Sequence, residues 1–123
     1  MADNKQYINQ AQENGSIMIS EDVISTIVSH AVSEVEGVYG LSSSFTADLA
    51  QLLGKKNMSK GVKLSIEENV VSVECFVVIN YGVEIPAVAA NIQDSVMNAV
   101  ESMTGLKVAA VDVDICGISA PKE

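Results

Sequence analysis

Residues 70–117 read VVSVECFVVINYGVEIPAVAANIQDSVMNAVESMTGLKVAAVDVDICG: a strand, a tight turn, a long helix, another tight turn and a second strand. In the first strand Val71, Val73, Cys75, Val77 and Ile79 alternate with Ser72, Glu74, Phe76 and Val78, the two-residue period of a pleated backbone. Gly82 lets the chain turn, and Pro86 stands at the first helical position, where its missing N–H costs nothing. From Pro86 to Thr104 the residues Val88, Ala89, Ile92, Val96, Ala99, Val100 and Met103 recur at three- and four-residue steps and fill one helical arc. Asn91, Asp94, Asn98, Glu101 and Ser102 fill the other. Gly105 supplies a left-handed cap, and Leu106 leads into a second alternating strand through Val111, Val113 and Ile115.

Upstream, Val62, Leu64 and Ile66 alternate with Lys63, Ser65 and Glu67, and Glu68–Asn69 turns that strand into a hairpin with Val70. A first helix is predicted from Glu21 to about Glu36, with Ser20 as N-cap and two carboxylates in its first turn. Its apolar face carries Val23, Ile24, Ile27, Val28, Ala31, Val32 and Val35; Ser25, Thr26, Ser29 and Ser33 lie opposite, and Gly37 closes it. Ile17–Ile19 reads as a short edge strand before that helix, and polar, aperiodic residues 1–15 as a flexible segment. The connection from Gly37 to Gly61 is long, and helical spacing of Phe45, Leu49, Leu52 and Leu53 predicts a short amphipathic helix within it. The order β-α-β-β-α-β gives an α+β fold in two layers: two main helices on one face of a small, mainly antiparallel sheet. One domain, 16–118, is expected between the N-terminal segment and a short tail, 119–123.

The formal charge is −9, with 16 acids against seven basic residues, all of them Lys. Without Arg there is no planar fork to clamp phosphates or read guanine, and the field of the chain repels a polyanion, so no nucleic-acid partner is expected. Lys55, Lys56, Lys60 and Lys63 cluster, but read as solvated loop lysines. No run approaches the roughly 20 apolar residues of a membrane span, and residues 1–15 lack the apolar core of a secretory signal. A cytoplasmic protein without direct membrane insertion is expected. Cys75 points toward the core and Cys116 shares register with outward Asp112 and Asp114, so the two thiols are expected to remain free.

Nothing in the sequence assembles a nucleophile, a base and an orienting group. His30, the single histidine, sits at the border of an apolar arc with no metal-ligand spacing around it, and Ser42–Ser44 read as a flexible connector. No catalytic residues, cofactor or metal site are expected. One surface stands out: strand parity places Phe76 and Val78 on the face away from the helices, beside Glu74 and, across the sheet, Asp112 and Asp114. Either the Phe45–Leu53 segment folds back over them, or these five residues form an interaction surface.

Four blocks carry a family likeness: EVEGVYGL at 34–41, NMSKGV at 57–62, YGVEIP at 81–86 and SMTGLKVAAVDV at 102–113. Over Ile17–Gly117 the chain closely resembles the alkaline shock protein twenty-three family, the Gls-type envelope stress response proteins. The resemblance implies a non-enzymatic, cytosolic protein of cell-envelope homeostasis in Gram-positive-type bacteria, acting as an interaction or scaffolding module. It also implies a protein partner, in some relatives a membrane-spanning anchor, and self-association. The alternative from the residues themselves is a small regulatory or ligand-carrying subunit that accompanies a metabolic enzyme.

Overall fold

The computed structural model describes residues 7–12, 15–42, 58–59 and 61–120. In chain order they form β1 (Tyr7–Gln12), β2 (Gly15–Ser20), α1 (Glu21–Ser33), β3 (Val38–Leu41), β4 (Met58–Ser59), β5 (Val62–Glu67), β6 (Val70–Asn80), α2 (Ile85–Thr104) and β7 (Lys107–Ser119). The 11-residue β6 is the axis of a mixed sheet. Along one side it pairs antiparallel with β5, from Val70↔Glu67 to Cys75↔Val62, and then with β3, from Val77↔Leu41 to Ile79↔Val38. Along the other it pairs parallel with β7 over its whole length. The predicted α+β fold is therefore the observed one: two helices packed with an open, mainly antiparallel five-stranded sheet.

β3 and β5 lie end to end because one residue of β6 joins them. Phe76 donates its N–H to the carbonyl of Gly61, and its own carbonyl accepts from the N–H of Ser42. Ser42 and Gly61 thus sit side by side although 18 residues separate them in sequence. Gly61 has φ +78, and a Cβ there would lie 2.9 Å from Leu41 Cβ and 3.2 Å from the Phe76 carbonyl oxygen. Only glycine fits that backbone in that space. The β5–β6 hairpin closes through Glu68 and Asn69, with φ of 51° and 69°, the two positive values of a type I′ turn.

The core is aliphatic, as the composition requires. Ile24, Val28 and Val32 of α1, Val62 of β5, Val71, Val77 and Ile79 of β6, and Ile92, Val96 and Val100 of α2 are all completely buried. The helix α1 ends at Ser33, three residues before the predicted Glu36, with Glu34 as C-cap, because the chain must turn to lay β3 against β6. Its buried face is also rotated from the expected one. Val23 is exposed and Ser25 is buried, the small serine permitting close approach. In α2 the last turn departs similarly: Met103 is exposed while Thr104 is buried, its hydroxyl donating to Val100 O and accepting from the Leu106 N–H.

Three expectations need correction at the edges. Residues Tyr7–Gln12, read as part of a flexible segment, form a strand. Ile17–Ile19 belongs to a strand, but it pairs with β1 in a separate two-stranded sheet instead of edging the main one. The Gly37–Gly61 connection holds β3 and β4, whereas the helix predicted over Phe45–Leu53 lies outside the described residues.

Candidate functional site: an acidic patch on the open sheet face

The helices cover the face formed by the odd-numbered residues of β6, which leaves the even-numbered ones on the opposite face. There Glu74 stands across from Lys63 of β5 on one side and Asp112 of β7 on the other, and Asp114 is the next acid along β7. A shallow pocket of about 170 Å³ lies against this face, lined in part by Lys63, Ser65, Ser72, Glu74 and Asp112. Strand pairing draws three acids together, and among the described residues Lys63 is the lysine that faces them. Glu74 is held above the usual carboxylate range, first by a side-chain hydrogen bond with Asp114, then by partial burial and the negative charge of Asp114; Lys63 opposes this. A carboxyl that keeps its proton donates to its neighbour, whereas two ionised groups at this separation repel.

The sign of the resulting pH dependence follows. Glu74 binds a proton more tightly in the folded chain than in the unfolded one, so this group favours folding fully below the unfolded carboxylate range. That advantage is lost as pH rises through the raised folded value. Glu74→Gln keeps a donor toward Asp114 and removes the charge, so it is expected to raise the melting temperature near neutral pH. The gain should shrink as the pH is brought down to about 4. A gain that is the same at both pH values means charge crowding is not what Glu74 contributes.

Phe76 and Val78, the apolar part of the expected surface, behave differently from the acids. Phe76 is 7% exposed and stands outside the main aliphatic cluster; Val78 is half-buried. Phe76 is therefore not a free contact residue, and of the five predicted residues Asp112 is the most open, with Glu74, Val78 and Asp114 half-buried. The structure does bring Glu74, Asp112 and Asp114 together. Among the described residues no group of three or more His, Cys, Asp and Glu is arranged to hold a metal ion. His30 is exposed on α1 and its Nε2 lies 3.0 Å from Glu34 Oε2, one turn along the same helix. A second concavity of about 330 Å³, which the sequence did not signal, runs between α1 and α2 past Ile27, His30, Ala31, Ala99 and Met103.

Cys75 and Cys116 are free, as parity requires. Burial, with the nearby acids adding to it, pushes the Cys75 thiol up to about 12. Cys116 is exposed at a register shift between Ile115 and Gly117; partial desolvation and Asp114 raise it too. Since the thiolate is the nucleophile, native protein is expected to react with a maleimide at Cys116 alone, and at both cysteines after denaturation. Mass spectrometry of the labelled peptides checks this; native labelling at Cys75 would contradict its burial.

Comparison with known proteins places the chain in a family. The family model for the alkaline shock protein twenty-three family, whose described role is a cell envelope-related function, matches residues 9–120. The chain belongs to that family. Relatives within reach of it include YqhY of Bacillus subtilis, 33% identical over 104 residues that cover 85% of this chain and 77% of the relative. Spy1614 of Streptococcus pyogenes is 35% identical over 113 residues, 90% of this chain and 93% of that one. A Streptococcus pyogenes stress response regulator gls24 homolog is 27% identical over 110 residues, 89% of this chain and 62% of the relative. Among solved structures, a variant of the MamM CTD superimposes with a TM-score of 0.49 at 12% identity, over 82% of this chain and 95% of that one. No helix among the described residues is long and apolar enough to cross a membrane.

Proposed function

We propose that this member of the envelope-related family is a non-enzymatic interaction module that reaches a protein partner through the open face of its sheet. One observation carries the reading: strand pairing holds Glu74, Asp112 and Asp114 together there, closely enough that the Asp114 carboxyl lifts Glu74 above the usual carboxylate range. Crowded carboxylates on an open surface are relieved by a cationic group from outside, and such complementarity sets partner choice more than raw affinity. A cationic partner also fits an envelope role. The inner-side loops of membrane proteins are enriched in Lys and Arg, so a membrane-spanning anchor offers the right charge to a chain of net charge −9.

The test is capture of partners from a solubilised membrane fraction of the source cell, comparing the wild-type chain with an Asp112→Asn, Asp114→Asn double variant. A partner retained by the first and lost by the second, with unchanged far-ultraviolet circular dichroism, supports the reading. A partner retained equally by both removes the acidic face from the account. The inter-helical concavity of about 330 Å³ favours a second reading, a ligand-carrying subunit, since pockets for small ligands begin near that volume. A large, reproducible melting shift with one metabolite, abolished by Ala99→Trp in that groove, would favour it.

A further inference from the structure

Hydrogen bonding fixes which backbone groups of β7 face outward. Phe76 bonds to Gly61 and Ser42, and Asn80 donates to Gly37, so the even-numbered residues of β6 turn their backbone toward β5 and β3. The odd-numbered ones, Val71 to Ile79, turn toward β7. In a parallel ladder a residue bonds to the two neighbours of its register partner, and the partner itself turns away. Those partners are Val108, Val111, Val113, Ile115 and Ile118, and their N–H and C=O groups line the outer edge of β7.

The first two are shielded by α2. Glu101 Oε2 accepts from the Val108 N–H at 3.0 Å, and Gln93 Nε2 donates to the Val111 carbonyl at 3.0 Å. Beyond Asp112, among the described residues, no side chain shields that side of β7 and no strand pairs with it. A long unshielded edge is a template for another strand, and proteins commonly blunt it. Among the described residues it is shielded at one end only. On its helix side the open stretch presents Val113 and Ile115, both half-buried, and Ile118, 51% exposed; on its other side stand Asp112 and Asp114.

We propose that the β7 edge from Val113 to Ile118 accepts, by strand addition, an extended segment of another protein in which basic and apolar residues alternate. This rests on the interaction-module reading and names the surface and the partner's chemistry. Backbone groups supply the pairing, apolar side chains complete the cover of Val113, Ile115 and Ile118, and basic ones on the opposite face meet Asp112 and Asp114. A second copy fits poorly. Two β7 strands paired antiparallel over Val113–Ile118 set Asp114 of each copy opposite Gly117 of the other, and that stretch carries no lysine to meet either acid.

The probe is a capped synthetic peptide of alternating lysine and valine, titrated into the full 123-residue chain and followed by amide NMR. Saturable binding is expected, with amide exchange slowed at Val113, Ile115 and Ile118. Exchanging the lysines for glutamates should weaken it about tenfold or more. A peptide of unchanged charge, N-methylated at alternate residues, cannot pair and is expected not to bind saturably. Ile115→Pro removes an outward-facing N–H, a position where proline is tolerated on an edge, and should abolish peptide binding. If that variant does not fold, Asp112→Lys with Asp114→Lys should reverse the preference to the glutamate peptide. Equal binding of the lysine and N-methylated peptides, or no saturable binding of either, overturns the proposal. So does slowed exchange at the β7 edge in a peptide-free dimer, which assigns the edge to a second copy. The interaction-module reading survives each of these outcomes if partner capture still depends on Asp112 and Asp114, and falls with the proposal if it does not.

Discussion

Gly61→Ala is expected to lower the stability of this chain by about 2–5 kcal/mol, while Gly105→Ala lowers it by no more than about 1–2 kcal/mol. The two glycines have nearly the same backbone, φ +78 and +76, so the left-handed penalty is common to both. They differ in what surrounds them. A Cβ on Gly105 meets nothing within 4 Å, whereas one on Gly61 lies 2.9 Å from Leu41 Cβ and 3.2 Å from the Phe76 carbonyl. Backbone cannot step aside as a flexible side chain can, so the junction of β3 and β5 on β6 must open. Urea denaturation of the two variants measures the difference. Equal losses at both positions would mean that the junction yields without cost.

The second large effect falls on the same residue of β6 from its other side. Phe76→Ala is expected to cost about 3–5 kcal/mol, the range for removing a buried aromatic ring. The side chain is 7% exposed, so most of its surface is withdrawn from water even though it does not belong to the main aliphatic cluster. Val78→Ala, at a half-buried neighbour on the same face, should cost clearly less. Thermal melts of both variants decide the matter. An unchanged melting temperature for Phe76→Ala would return the ring to the surface that strand parity alone assigns to it.

That parity argument shows how far the sequence reaches. Alternation over Val71–Ile79 and the three- and four-residue steps from Val88 to Val100 are local signals; the burial of Val71, Val73, Cys75, Val77, Ile79, Val88, Ile92, Val96 and Val100 follows them, and Phe76 is the exception. The turn chemistry was equally plain, because positive-φ positions after β5 and at Gly105 leave few alternatives. What local pattern cannot supply is which strands meet. VYGL at 38–41 is short and carries a glycine, so it reads as loop; it becomes a strand only because β6 is long enough to bond it beyond the end of β5. The polar YINQAQ lacks any alternation, and its strand exists through β2 opposite. Parity alone put Glu74, Asp112 and Asp114 on one face, but that Glu74 stands directly across from Asp112 follows from a parallel register that depends on the length of the whole α2 crossover. Shielding of β7 by Gln93 and Glu101 had no signal: Glu101 read as an ordinary solvent-facing helix position, and nothing local singles out Gln93.

The two sides of β6 also differ in how far along the chain their partners lie, and this sets a temporal order. The β5–β6 hairpin closes over two residues, so its ladder can zip on the microsecond scale with little loop entropy to overcome. The β6–β7 ladder joins residues 37 or more positions apart and can form only when α2 has folded back across the sheet. Until then the odd-numbered backbone groups of β6 are a second bare edge, flanked by Val71, Val73 and Val77 without α2 above them. A refolding chain therefore passes through its most aggregation-prone moment after the hairpin is made and before β7 arrives. Yield on refolding should accordingly fall with protein concentration far more steeply than the native fold, with its acidic surface, gives reason to expect.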